Sequence, residues 1–298
     1  ARRKGVTVRV VADSKSLATD DSALEMLMNG NDELPPLGGC DGGCVSVCRA
    51  GCHGFHINHN KFLLLSELED GSRWVVAQSS ANFTAGQHRN YNDLLVFHND
   101  RELYATFEAY FDDLDRRLWS PRYYREEETT SGIAVHFFPR LFGPDPIVDI
   151  LDSVQCDPGS TIRVAHSRFE SFRLDVARKL RELSDQGCDV HAILRREPRR
   201  FSPGRAVLGE LDELATVLPY KGHDIDGKRN AIHTKLMLIK APHGGSEEPR
   251  HLVLTGSHNL SVTSLHLNDE VLLRVDNAAL FAAYEKFWDE ILQAHEQR

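Results

Sequence analysis

His59-Asn60-Lys61 and His233-Thr234-Lys235 each set an imidazole and an ammonium two residues apart, ahead of the apolar runs 62–65 and 236–239. On a strand, residues i and i+2 face the same way, so each pair would project into one shared space. Ser80-Ala81-Asn82 follows the first pair and Ser257-His258-Asn259 the second; an acidic residue comes later in each, Asp93 and Glu270. Two imidazoles facing one another suit a double displacement. One attacks as a nucleophile, and the other protonates the leaving oxygen and then activates water. Lys61, Lys235, Asn82 and Asn259, supported by the Ser80 and Ser257 hydroxyls, would bind the non-bridging oxygens of a tetrahedral anion. Asp93 and Glu270 would each hold the second nitrogen of an imidazole and fix its tautomer. No carboxylate cluster accompanies these residues, so the inventory points to phosphoryl transfer without a metal or cofactor.

The two sets belong to a repeat. His59 and His233 are 174 positions apart, as are Lys61 and Lys235. From Ser80 and Ser257 the separation is 177, and it pairs Asn82 with Asn259, Asp93 with Glu270, Leu103 with Leu280, Phe107 with Tyr284 and Leu114 with Ile291. The three added residues fall in a hairpin turn, where insertions are tolerated. One register through polar and apolar positions alike identifies a tandem duplication. A lone H-x-K is usually a solvated strand edge; the repeated Ser-x-Asn reverses that reading.

The elements that must position these residues follow from periodicity and turn residues. Strands are expected at 5–11, 59–65, 73–78 and 91–98, and an amphipathic helix at 101–118 with Leu103, Phe107, Tyr110, Phe111 and Leu114 on one stripe. A short helix is expected near 22–28. Residues 119–160, rich in proline and carrying Glu126-Glu127-Glu128, read as the link between halves, with a strand at 133–138. The second half reads as strand 161–165, helix 173–186, strand 187–194, helix 208–217, strands 233–239, 252–254 and 270–275, and a closing helix 280–292. The halves are placed at 1–125 and 126–298. The phrase 5–11 resembles 187–194, which follows a strand and a helix. The first half is therefore expected to lack its opening βα unit, which a preceding or separate chain fragment would complete.

At 298 residues and 41% hydrophobic content the chain can bury one large core or two ordinary ones. No apolar run approaches the roughly 20 residues of a membrane span. A net charge of −9 disfavours a broad nonspecific grip on polyphosphate, though not a locally basic cleft. Cys40, Cys44, Cys48 and Cys52 recur every four residues, and Cys156 and Cys188 stand apart in the second half. The cluster leaves disulfides, a zinc knot with His53 or His56, and free thiols open; the unusual spacing for zinc favours disulfides. Disulfides imply an oxidising compartment, hence a secreted protein whose leader is not part of this sequence. His53, His56 and His258 lack repeat partners and read as lining or surface residues. Arg195, Arg196, Arg199, Arg200 and Arg205 read as a solvated loop, or as a rim facing phosphate or membrane.

On His59, Lys61, Ser80 and Asn82, with His233, Lys235, Ser257 and Asn259, the chain resembles the phospholipase D superfamily, whose H-x-K-x4-D motif occurs twice. The resemblance runs from Gly5 to the final helix. It departs at the motif aspartate, which is Ser66 in one copy and Lys240 in the other. The resemblance implies an α/β fold of two similar halves, each a mixed β-sheet flanked by helices, related by a pseudo-twofold axis. It also implies a phosphohistidine on His59, with His233 as general acid. The activity expected is cleavage of a phospholipid head-group phosphodiester, with transphosphatidylation, at a membrane or micelle surface. A metal-independent nuclease is the second expectation, and a non-catalytic phosphate- or lipid-binding module the third.

Overall fold

The computed structural model describes residues 6–15, 28, 45–197, 199, 201–218 and 231–296. The first part contains β1 (Val10–Asp13), β2 (Val45–Cys48), β3 (Phe62–Glu67), β4 (Arg73–Ser79), β5 (Leu94–Phe97) and α1 (Arg101–Arg116). Then come β6 (Arg125–Glu128), β7 (Ile133–Phe138), α2 (Pro146–Asp152), β8 (Thr161–His166), α3 (Leu174–Asp185), β9 (Asp189–Arg195), α4 (Arg205–Glu210) and β10 (Ala215–Leu218). The chain closes through β11 (Lys235–Pro242), β12 (Pro249–Gly256), α5 (Val262–His266), β13 (Glu270–Asp276) and α6 (Ala278–Glu296). An 8-stranded mixed sheet runs β10-β9-β8-β11-β12-β13-β7-β6, beside a 3-stranded sheet β3-β4-β5 and the parallel pair β1-β2. This is the mixed α/β architecture of two similar units that the repeat implies.

The long helices form where an apolar stripe meets a cap. Asp100 accepts the Leu103 N–H at 2.9 Å, and Leu103, Phe107, Tyr110 and Leu114 are buried against the sheets. Asn277 caps α6 in the same way, accepting from Leu280 N at 2.9 Å, with Phe281, Tyr284, Trp288 and Ile291 buried. Each such side chain contributes roughly 1.5–3 kcal/mol by leaving water. Both faces of the β11–β13 core are covered, one by α2 and α3 and the other by α6. The corresponding outer face of β3–β5 is not: Leu63, Leu65, Leu94 and Val96 are exposed.

Several expected elements shift. The strand expected at 59–65 begins at Phe62, so His59 and Lys61 lie just before it. The backbone there turns to another partner, as the His59 N–H donates to Asp269 O at 2.9 Å. The helix expected at 208–217 divides into α4 and β10, because the 215–218 segment pairs in parallel with the open edge of β9. The expected link contains β6 and α2. The three glutamates sit on an edge strand, where charge is tolerated and discourages further pairing. Asp145 caps α2 and Pro146 opens it. In the Cys-rich loop β2 forms, and Cys48 bonds Cys52. Cys156 and Cys188, separated in sequence, form a second disulfide. The helix expected near 22–28, Cys40 and Cys44 fall outside the described residues, Met28 excepted.

Candidate active site

Each half supplies an imidazole, and the other half orients it. His59 Nδ1 lies 2.8 Å from Glu270 Oε2, and His233 Nδ1 lies 3.0 Å from Asn92 Oδ1 and 3.1 Å from Ser80 O. The acceptors place the proton on Nδ1 in both rings, which leaves each Nε2 for substrate. The backbone repeats the exchange. Asn58 bridges Asp269, and Tyr91 bridges Ile232, both in parallel. The His59 N–H reaches Asp269 O, and the His233 N–H reaches Tyr91 O.

These bonds show that the counterpart of Glu270 is Asn92. The Ser257 N–H and hydroxyl exchange bonds with Val271, and the Ser80 N–H and hydroxyl do the same with Asp93. Ladder partners agree, with Ser79 opposite Leu94 and Gly256 opposite Leu272. Through β5 and β13 the repeat therefore runs one residue out of the sequence register, and it returns at the caps Asp100 and Asn277. The sequence register sets polar against polar, Asn92-Asp93 against Asp269-Glu270, so sequence comparison alone does not reveal the slip. Asp93 does not reach an imidazole. Its carboxylate accepts from Thr234 and Thr255 hydroxyls at 2.5 Å each and from Tyr284 at 3.1 Å, bracing the second half.

Lys61 and Lys235 are 3% and 2% exposed, and each ammonium donates to the carbonyl of its own motif histidine. Burial pushes Lys61 down to about 8 against the pull of Glu270 and Asp13. Burial and then the Lys61 charge push Lys235 well below its ordinary value. His59 is pushed to about 4, first by burial and then by Lys61 and Lys235, with Glu270 opposing. His233 is lowered much further by burial, Lys235, Lys61, Arg195 and His59. His59, both lysines and Arg195 thus lie near enough to lower the His233 value together. Burial raises the Glu270 carboxyl, yet His59, Lys61 and Asn268 together hold it below its ordinary value. Two buried lysines beside two neutral imidazoles can receive an anion, which would favour the charged form of each ammonium.

The remaining candidates distribute around this centre. Asn82 borders a cleft of about 490 Å³ with Phe83, Gln87, Asn90 and Asn92. Asn259 is buried and accepts from Ser167 Oγ at 2.6 Å, which orients its amide. The Ser257 hydroxyl donates to Glu270 at 2.5 Å, and Ser80 Oγ lies 3.4 Å from Asn92, so both serines brace the groups that orient the histidines. His53 and His258 are core residues instead of lining ones, stacked on Tyr123 and Phe138 respectively. His56 bonds Asn268 at 2.9 Å. Among the described residues no group of His, Cys, Asp and Glu could hold a metal ion.

Sequence reasoning missed Asn92 and Asp269. The Asp269 carboxylate accepts the backbone N–H groups of Cys52, His53 and Gly54, pinning the disulfide loop beside the site. Gly54 is required there, since a Cβ would lie 2.1 Å from Leu267 O.

A family profile described as "Cardiolipin synthase, PLD-like domain" matches residues 1–115 and 148–292. Among solved structures, the phosphatidylserine synthase of Haemophilus influenzae superposes with a TM-score of 0.61 at 16% identity, over 96% of this chain and 74% of that one. The polyphosphate kinase of Porphyromonas gingivalis gives 0.56 at 12%, over 96% of this chain and 41% of that one. Nuc of Salmonella typhimurium, a phospholipase D family member, gives 0.39 at 16%, over 55% and 95%. No curated protein sequence matches.

Proposed function

Because the chain belongs to the phospholipase D superfamily, we propose that it is a metal-independent phosphodiesterase that cleaves the head-group phosphodiester of phospholipids. The observation that carries this is the pair of opposed histidines, each oriented by the other half above two buried lysines. His59 Nε2 attacks phosphorus as the bond to the leaving oxygen breaks, and that oxygen takes the Nε2 proton of His233, which enters this step as the imidazolium with its Nδ1–H still held by Asn92 and Ser80. His233 then removes a proton from water, which attacks phosphorus and breaks the phosphorus–nitrogen bond. An alcohol in place of water gives transphosphatidylation. The asymmetry at Nδ1 supports this order. The Glu270 carboxylate offsets the positive charge that His59 acquires on phosphorylation, whereas the amide of Asn92 leaves His233 a weak hold on its proton. Lys61, Lys235, Asn82 and Asn259 hold the non-bridging oxygens through both steps.

The lipid reading draws on the synthase description of the matching profile, on the acidic net charge of −9 and on two disulfides, which suit an exported protein. Among the described residues no helix is long and apolar enough to cross a membrane. Head-group release from phospholipid vesicles in the presence of a chelator tests it. Degradation of plasmid DNA with no lipid turnover would establish the nuclease instead; binding of phosphate analogues without turnover would establish a binding module. Acid-labile phosphate should be trapped on His59, and His233→Ala should still form that adduct from a substrate with a good leaving group. A label confined to His233 reverses the roles.

A further inference from the structure

Among the described residues, exposed large apolar side chains fall into two sets, beyond Val6 and the cleft residue Phe83. One is the open face of β3–β5. The other comprises Phe55, Leu118, Trp119, Phe142, Phe172 and Phe201, between 49% and 84% exposed. All six lie on loops at one edge of the sheets, the edge where His59, His233, Lys235 and Glu270 also lie. Phe142 follows the end of β7, Phe172 the end of β8 and Phe201 the end of β9, while Leu118 and Trp119 precede β6. Contacts join these loops into one rim. Phe55 meets Trp119 edge-on at 4.8 Å, and the His56 N–H bonds Leu267 O. His266 bonds Arg140 O at 2.6 Å and stands edge-on to Phe172 at 5.5 Å. Gly204, after Phe201, packs so closely on Ser171 that a Cβ would lie 2.1 Å from its hydroxyl.

Charge on the rim is sorted. Arg117, Arg122, Arg196 and Arg199 are exposed, with Arg122 over the Phe142 ring at 5.2 Å. The carboxylates of the same loops turn inward, Asp145 to Arg173 and Glu197 to Arg195. We infer that this rim is a membrane-adsorbing surface, which seats the mouth of the site on a bilayer carrying anionic lipid. Aromatic rings favour the headgroup layer and exposed arginines its negative potential, and neither alone would hold a protein there. A single-stranded nucleic acid could also stack on such rings. Against it, the rings are exposed on separate segments around the mouth instead of following one another along a single groove.

The test is sedimentation with sucrose-loaded phosphatidylcholine vesicles, with and without phosphatidylglycerol. The wild-type chain should pellet with the mixed vesicles and lose binding as salt rises. Trp119→Ser/Phe172→Ser/Phe201→Ser should weaken partitioning more than about tenfold, with cleavage of soluble bis(p-nitrophenyl) phosphate and the thermal midpoint unchanged. Equal binding by variant and wild type, no binding by the wild type, or loss of oligothymidylate binding in place of vesicle binding would each overturn the rim. The inference rests on the lipid reading, but the two can fail separately. Rim-dependent adsorption without hydrolysis of any phospholipid sinks that reading and keeps the rim. Hydrolysis of dispersed short-chain lipid without adsorption does the reverse.

Discussion

Asn92 and Glu270 occupy equivalent places and differ by one charge, and in the proposed mechanism that difference divides the labour between two otherwise matched imidazoles. Glu270→Gln keeps the shape and removes the compensation for a cationic His59. The expected result is a loss of at least about 100-fold in kcat, with accumulation of phosphoenzyme reduced in parallel. Asn92→Asp should raise the pKa of His233 and move the alkaline limb of the rate profile upward, which a pH titration of kcat/KM reads directly. The lysines carry a further consequence. With Lys61 held near 8 in the free protein, a bound anion must raise that value, so binding takes up a proton. Affinity for sulfate, a dianion throughout this range, should therefore be flat from about pH 6 to 8 and fall by up to tenfold per unit above it; calorimetry in buffers of different ionisation heat checks the proton count.

At the scale of elements, the segment from Leu267 to Glu270 is where the two halves are fastened. Asp269 gathers three backbone N–H groups of the 52–54 loop, its carbonyl takes the His59 N–H, and the next residue orients the His59 ring. Asp269→Asn would turn an amide donor toward one of those N–H groups. The loss should be about 1–3 kcal/mol, read as a lowered denaturant midpoint. Activity should fall more than stability alone explains, because His59 is displaced. The Cys156–Cys188 bond closes a 32-residue separation across β8 and α3, away from the imidazoles. Replacing both by serine should cost roughly 2–4 kcal/mol and leave kcat near its original value at temperatures where the chain stays folded.

For the whole molecule, buried histidines decide how stability responds to acid. Burial holds His59 and His136 near 4 and His166 near 3, so the native chain binds fewer protons than the unfolded one below about pH 6.5. That stability is complete above pH 6.5 and is lost as pH falls through 4, each group being worth roughly 3–5 kcal/mol at full development. Asp269 works the other way. Burial raises it to about 7, so its protonation on acidification relieves a cost. His233 and His258, also lowered by burial, act in the same direction, so the histidines outweigh the one raised carboxyl and urea midpoints should fall steadily from pH 7 to 4. A midpoint that rises over that range would mean these imidazoles are hydrated in solution.

The primary structure alone determined the family and most of the scaffold. The paired His-x-Lys and Ser-x-Asn sets, the capped amphipathic helices and the 133–138 strand follow from local spacing, since alternation and the 3.6-residue period are properties of a single segment. Less local features stayed hidden. Whether 215–218 is helix or strand depended on the open edge of β9, and the glutamate run became a strand because β7 offered it a ladder. Which carboxylate reaches which imidazole was likewise decided in three dimensions. A one-residue slip within the repeat changes nothing in composition, yet it takes Asp93 off the site and puts Asn92 on it. The same holds for His59. Its residue type marked it as a candidate, but its tautomer, its depressed pKa and its partner Glu270 arise only where the two halves meet, because burial and charge proximity are properties of the assembled fold.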